Sequence, residues 1–369
     1  RPLMTFSLTT FVLLTFFRFA SGYEENLWPS GIDDLKNLNK WGVDVFDIDT
    51  RVDDEILTAF AYTFFEDHAL FDIFHIDRKT FLLCLRNIES TYNNVPYHNR
   101  FHAADVLQTV QVLLNLPSLS KQFTDIEVLS LLFAAAVHDV GHPGLSNSYL
   151  MKTGDQRAIR YENNSVLEHF HVEVAFTILQ QYDFLRNISS EERRQFENIV
   201  SNLILSTDMS RHSEMEDEID LLLEEKKSSF NYLAKAENRR RLLKTILHLA
   251  DISNPTKPTA LYWQWTVRIN EEFFVQGEKE IALGFPVAET MRRTNFQGIF
   301  RNQLRFFQFI SPSFEKFENL LSPDAQFLLE QMQENLNIFM NEMIPISTSI
   351  YIEKNNLCYT FVLVLINYF

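Results

Sequence analysis

Between residues 55 and 345 apolar residues recur three and four apart, in ILTAFAYTFF, FLLCLRNI, AADVLQTVQVLL, EVLSLLFAAAVHD, HVEVAFTILQQY, FENIVSNLIL and RRLLKTILHLAD. That period belongs to helices burying one face, and no clean alternation of period two accompanies it. The chain therefore reads as all-α. Breaks rich in Pro, Gly, Asn and Ser separate the runs: NNVPYHN, NLPSLSKQFTD, HPGLSN, RNISSEE, SNPTKP and ISPSFEK. SSEE and SPSFEK read as helix starts with acidic residues near the first turn. The spacing is too irregular for a simple bundle, and no internal repeat is visible. A compact multi-helix domain is expected over 55–345. Before it stands 1–54, a hydrophobic segment with an acidic lead-in carrying one short helix; after it comes a hydrophobic tail, 346–369.

A chain of 369 residues can bury a core without disulfides or a structural metal. Its cysteines, Cys84 and Cys358, are far apart and give neither a disulfide framework nor a cysteine-bound zinc site. The formal charge of -16 argues against wrapping a nucleic acid, whose phosphates are held mainly by Lys and Arg. An acidic protein that handles phosphate instead suggests bound metal ions. Residues 215–241 switch from acidic to basic and read as a solvated helix with a polar connection.

The two ends carry uncharged stretches, residues 2–17 and 356–369, each shorter than the roughly 20 residues a spanning helix needs. One reading has them packing on the domain or on a second copy in a homodimer. The other places them in or against a membrane, tethering the domain. A cleaved secretory signal ending near FASG ranks last, because the rest of the chain reads as intracellular and cytoplasmic.

The histidines carry the chemistry. His98 and His102 stand four apart in YHNRFHAAD, on one helical face. His138 and Asp139 are adjacent within AAAVHDVGHPG, and His248 and Asp251 lie three apart in HLADISNP. A buried His–Asp pair needs a partner, since an unpaired polar group away from water costs several kcal/mol. His102, His138, Asp139 and Asp251 together supply two imidazoles and two carboxylates, a set suited to zinc or a similar divalent ion. Asp139 has a second oxygen that can bridge to another ion, with Mg²⁺ keeping waters as its remaining ligands. Two such ions hold a hydroxide between them and withdraw charge from a phosphoryl oxygen. Glu168 and His142 are candidates to orient those waters. His98, not needed as a ligand, is placed to act as a general acid.

In this ordered series the chain resembles the catalytic domain of the class I cyclic nucleotide phosphodiesterases, an HD-like helical fold. The matching pieces are YHNRFHAADV, HDVGHPGLSN, SVLE followed by His171, LSTDMSRH, HLADISNPTKP and the element from Gln303 to Phe306. The resemblance implies a zinc on His102, His138, Asp139 and Asp251, with Asp139 also touching Mg²⁺ or Mn²⁺. It implies that His98 protonates the 3′ oxygen of cyclic AMP or cyclic GMP as hydroxide attacks, giving the 5′-monophosphate. Tyr97 would line that site, and His142, Glu168, His171, Thr207 and Asp208 would belong to the water and second-metal network.

Residues Tyr262, Trp265, Ile269 and Phe273 repeat at three and four along LYWQWTVRINEEFF, most simply a core stripe. By resemblance, Ile269 and Phe306 would clamp the purine and the Gln303 amide would read its edge, with Asn254, Tyr262, Trp265, Phe273 and Met291 around them. An amide can exchange donor and acceptor, so Gln303 alone separates adenine from guanine poorly; Asn254 tilts the balance slightly to cyclic AMP. Three residues depart from the family pattern: Phe170 where a histidine is usual, Arg305 where glycine is common, and Arg292 where an acidic residue is frequent. Two other readings stand beside this one: an HD-type phosphohydrolase of linear nucleotides, and a cyclic nucleotide sensor without catalysis.

Overall fold

Every regular element among the described residues is helical. The computed structural model describes residue 35 and residues 38–293 and 296–348, with side chains at 296–297 and 342–348 left aside. The hydrophobic stretches 2–17 and 356–369 lie outside the described residues. Among those described, no helix is long and apolar enough to cross a membrane.

The principal helices are α1 (Val45–Asp49), α2 (Ile56–Asp67), α3 (Arg78–Thr91), α4 (Arg100–Leu114), α5 (Asp125–Val137), α6 (Asn147–Thr153), α7 (Val166–Gln181), α8 (Ser190–Leu205), α9 (His212–Ser228), α10 (Ala236–Asp251), α11 (Thr259–Ala282), α12 (Phe296–Leu321) and α13 (Gln326–Thr348). They divide into two units, one ending at Asp251 and one beginning at Ile252.

In the first unit α4 and α5 are the central helices. Helix α4 packs on α2, α5 and α10, and α5 on α8. Nearly every α4 residue from His102 onward is buried, as expected of a helix surrounded by others. Much of the core is phenylalanine: Phe65 and Phe81 lie 4.4 Å apart between centroids, Phe81 and Phe184 5.1 Å, Phe133 and Phe196 5.3 Å. The SSEE start is a capping box, Ser189 and Glu192 exchanging bonds at the head of α8. Helix α9 buries Met215, Ile219 and Leu222 and exposes its charges, which accounts for the acidic-to-basic stretch.

In the second unit, α11 packs its Trp263 flat on Phe339 of α13, 4.4 Å between centroids, while Tyr262 meets Phe307 of α12 edge-on at 5.6 Å. One expectation fails here. SPSFEK does not start a helix; α12 runs through it with Pro312 inside. The proline removes one backbone donor, but Phe307, Ile310, Phe314, Phe317 and Leu320 form an unbroken buried stripe across it, and their burial carries the helix past.

Candidate active site

Helix α4 begins at the YHNRFH motif because Asn99 caps it. The Asn99 Oδ1 accepts from the Phe101 N–H at 2.9 Å, and its Nδ2 donates to the Val95 carbonyl at 2.7 Å. This fixes His102 in the first turn. Helix α5 ends at Val137 with His138 as its cap, the His138 Nδ1 sitting 2.9 Å from the Ala135 carbonyl; the carbonyl can only accept, so Nδ1 carries a proton and Nε2 is the atom that could ligate an ion when unprotonated. Asp251 is the last residue of α10.

These helices bring four donor atoms together. His102 Nε2 is 2.9 Å from Asp251 Oδ1, 3.5 Å from Asp139 Oδ2 and 3.3 Å from His138 Nε2. His138 Nε2 is 3.2 Å from Asp139 Oδ2 and 3.4 Å from Asp251 Oδ1. Ligands around a tetrahedral zinc at roughly 2.0–2.1 Å stand about 3.3 Å from each other. The cluster thus has the edge lengths of a zinc cage, and its chemistry, two imidazoles and two carboxylates, fits such an ion. Desolvation disfavours charge here. It is nonetheless outweighed: Asp139 and Asp251 hold His138 well above the ordinary histidine range, and the adjacent imidazoles hold both carboxylates well below theirs.

A second group, Asp139, His142 and His171, lies beside the first. His171 Nδ1 donates to the Val140 carbonyl at 2.8 Å, so its buried Nε2 has only a lone pair and makes no hydrogen bond. That atom faces Asp139 Oδ1 at 3.6 Å. Two acceptors facing each other in a buried place call for a cation or a water between them. Burial brings His171 down to about 4, so it is a neutral donor. His142 is lowered too, first by burial and then by His98, and its Nδ1 accepts the Gly144 N–H at 3.0 Å.

Glu168 lies half-buried in the same unit. Both its oxygens accept from Asn147 Nδ2, at 3.3 and 3.0 Å, while Asn147 Oδ1 accepts the Leu167 N–H at 2.9 Å, which fixes the sense of that amide. Burial, with Asp208 and Asp139 nearby, raises Glu168 to about 7. Asp208 accepts from the Ser165 hydroxyl at 2.8 Å, and the Thr207 hydroxyl donates to the Ile204 carbonyl at 2.8 Å. His98 stacks on His142 with centroids 4.0 Å apart, and Tyr97 lies against His98 and His102 at 4.8 and 4.6 Å. His248, three residues before Asp251, is not among the donors: it meets His212 Nδ1 at 2.9 Å and the Ser206 carbonyl at 3.1 Å.

Phe170 is buried against the turn that follows Asp139. Gly141 has φ +78°, and a Cβ there would stand 3.1 Å from the Phe170 ring. From elsewhere in the unit Asn93 Nδ2 donates to the Gly141 and His142 carbonyls at 3.0 and 2.9 Å. Arg157 lies over the Phe170 ring at 5.3 Å.

The second unit holds the apolar stripe. Tyr262 and Trp265 are buried core, as the helical period alone suggests, while Ile269, Phe273, Met291 and Phe306 are half-buried. The Tyr262 hydroxyl is 2.8 Å from Gln303 Oε1; a hydroxyl both donates and accepts, so it holds the amide in place without dictating its sense. Backbone at Met291 crosses α11 at Gly277, where a Cβ would meet the Met291 carbonyl at 2.3 Å. Asn335 tethers the SNPTKP turn carrying Asn254, its Nδ2 donating to the Pro255 and Lys257 carbonyls at 2.9 and 2.8 Å. Arg305 is exposed, and Arg292 faces Glu289 at 3.7 Å.

A family model described as 3'5'-cyclic nucleotide phosphodiesterase matches residues 97–332. The chain belongs to this family. It is 42% identical over 307 residues to a probable 3',5'-cyclic-AMP phosphodiesterase, pde-4, of Caenorhabditis elegans, covering 82% of this chain and 45% of that protein. It is 38% identical over 309 residues to the 3',5'-cyclic-AMP phosphodiesterase 4C of Mus musculus, with 82% and 45% covered. The chain thus spans about half the length of these curated relatives. Among solved structures it resembles the phosphodiesterase domain of a rhodopsin phosphodiesterase fusion from Salpingoeca rosetta, with TM-score 0.76 and 28% identity over 84% of this chain and 97% of that one.

Three polar residues of this phosphodiesterase chain escape sequence reasoning: Asn93, Asn147 and Asn335. Asn147 closes the quoted HPGLSN piece, so its position was visible and its bond to Glu168 was not. Asn93 and Asn335 act through backbone carbonyls far away in sequence, which no local pattern reports.

Proposed function

We propose that the chain hydrolyses a 3′,5′-cyclic purine nucleotide, cyclic AMP ahead of cyclic GMP, to the nucleoside 5′-monophosphate. The observation that carries this is the convergence of His102, His138, Asp139 and Asp251 at zinc-cage distances. These four would hold Zn²⁺; Asp139 and His171, with His142, Glu168, Thr207 and Asp208 ordering waters, would hold Mg²⁺ or Mn²⁺. Ions bound there would supply Lewis acidity toward the phosphoryl oxygens and the attacking water. His98 protonates the departing 3′ oxygen, and Tyr97 holds the imidazole's face. The neutral His142 stacked on His98 adds no competing charge. Ile269 and Phe306 offer apolar faces for a purine, and Gln303 an amide for its edge, with Asn254, Tyr262, Trp265, Phe273 and Met291 supporting them. The printed names of the relatives favour cyclic AMP, as does Asn254.

Parallel hydrolysis of cyclic AMP and cyclic GMP with Mg²⁺ or Mn²⁺, with 5′ and 3′ products resolved, tests the reading. Formation of 5′-monophosphate that disappears in Asp139→Ala supports it; no turnover by folded, metal-loaded protein rejects it. A cytoplasmic domain suits the free, buried Cys84. Membrane tethering and a homodimer rest on the terminal stretches alone, and vesicle flotation and sedimentation of the full chain check them.

A further inference from the structure

The acidic lead-in is bound along α4 at two places. At the far end Gln108 Nε2 donates to the Leu38 and Lys40 carbonyls, both at 2.7 Å, and Gln111 Nε2 to Asn39 Oδ1 at 3.0 Å. At the near end stands Arg100, the first residue of α4. Its guanidinium forks onto the buried Asp49 carboxylate, with Nη2 2.7 Å from Oδ2, and donates to the Asp54 carbonyl at 2.8 Å. It also lies 3.5 Å from Glu89 and stacks over Phe101 at 4.4 Å, whose ring meets Phe46 of α1 at 5.2 Å. Glu89 in turn accepts the Leu57 and Thr58 N–H groups at the start of α2, at 3.0 and 2.9 Å.

One guanidinium therefore joins α1, the turn before α2, α3 and the start of α4. It sits two residues after His98 and two before His102. A planar five-donor fork fixes orientation in a way a single ammonium does not. Resting on the phosphodiesterase reading above, we infer that Arg100 is a positioning residue for that reaction: it straps the lead-in to the first turn of α4 and so sets where the His98 imidazole is held. Residues 38–54 are thereby a working part of the catalytic unit, and a force applied to the lead-in reaches the acid before it reaches the cage.

The test compares two substrates in the full, metal-loaded chain. Cyclic AMP releases an alkoxide that needs a proton. Bis(4-nitrophenyl) phosphate releases nitrophenolate, which needs none, so its hydrolysis does not depend on the acid. In Asp49→Asn, kcat for cyclic AMP falls about tenfold, a fraction of what a general acid supplies, with KM unchanged and the nitrophenyl rate kept. Arg100→Lys, which retains charge and loses the fork, gives the same split if Asp49→Asn folds poorly. Amide exchange over residues 99–103 quickens in both variants while α5 is unaffected. An equal fall on both substrates, or no fall on either, overturns the inference. If the unsubstituted chain turns over no cyclic nucleotide, the reaction itself has been misassigned, and this shows before any variant is compared.

Discussion

At the scale of single residues, the turn after Asp139 is held from two directions, by Asn93 through carbonyls and by Phe170 through packing. Gly141 has a left-handed backbone that strains any other residue, and a Cβ would also press on the Phe170 ring at 3.1 Å. Gly141→Ala is therefore expected to cost about 1–3 kcal/mol and to raise the Mn²⁺ concentration giving half-maximal activity. Pairing it with Phe170→Leu should recover the packing share and leave the backbone share. A thermal melt and a metal titration of the single and double variants measure both. The departure at Phe170, which the sequence leaves ambiguous, is thus a packing residue under the turn that follows Asp139. The departure at Arg305 is a solvent-facing side chain.

At the scale of elements, the buried titratable groups of the first unit work against one another as pH changes. His171 and His248 titrate near 4, below the ordinary 6.5, because burial disfavours their charge. The stability they contribute is complete above 6.5 and is lost as pH falls toward 4. Glu89 and Glu168, raised by burial to about 7 from 4.5, do the reverse: their contribution is complete below 4.5 and is lost as pH rises through 7. Glu168→Gln keeps the shape and removes the charge. In metal-free protein it should raise Tm at pH 8 and leave it nearly unchanged at pH 4.5, by calorimetry; an equal shift at both values would show that ionisation of Glu168 is not what matters.

At the scale of the whole molecule, the helical class and the ligand series are legible in the sequence because both are local. Spacing of three and four marks a buried helical face, and His98–His102 and His138–Asp139 are close in sequence as well as in space. What stays hidden depends on distant contacts. Asn147 and Asn335 look like loop polarity until the helices assemble, and Pro312 looks like a boundary until the phenylalanine stripe is seen to continue on either side. Tyr262 and Ile269 belong to one stripe in sequence yet differ in exposure, because only the assembled helices decide which part of a stripe is covered. A zinc held by His102, His138, Asp139 and Asp251 would also tie folding to metal. His138 Nε2 must be unprotonated to ligate Zn²⁺, so binding there would release any proton it holds. Zinc affinity should weaken steadily as pH falls, from above 6.5 downward, and chelation should lower the Tm of the whole chain. Competition titrations at several pH values check the first, and melts with and without chelator the second.

The stacking of Trp263 on Phe339, and the burial of Trp265 beside it, place two of the four indoles in one helix of the second unit. The first unit's described residues carry only Trp41. In a chain with Trp28 and Trp41 replaced by phenylalanine, emission on denaturation reports the second unit, whereas circular dichroism weighs every helix alike. Urea curves recorded by the two methods coincide if the units melt together. They separate if the first unit outlives the second, so the light the protein emits tells which unit is lost first.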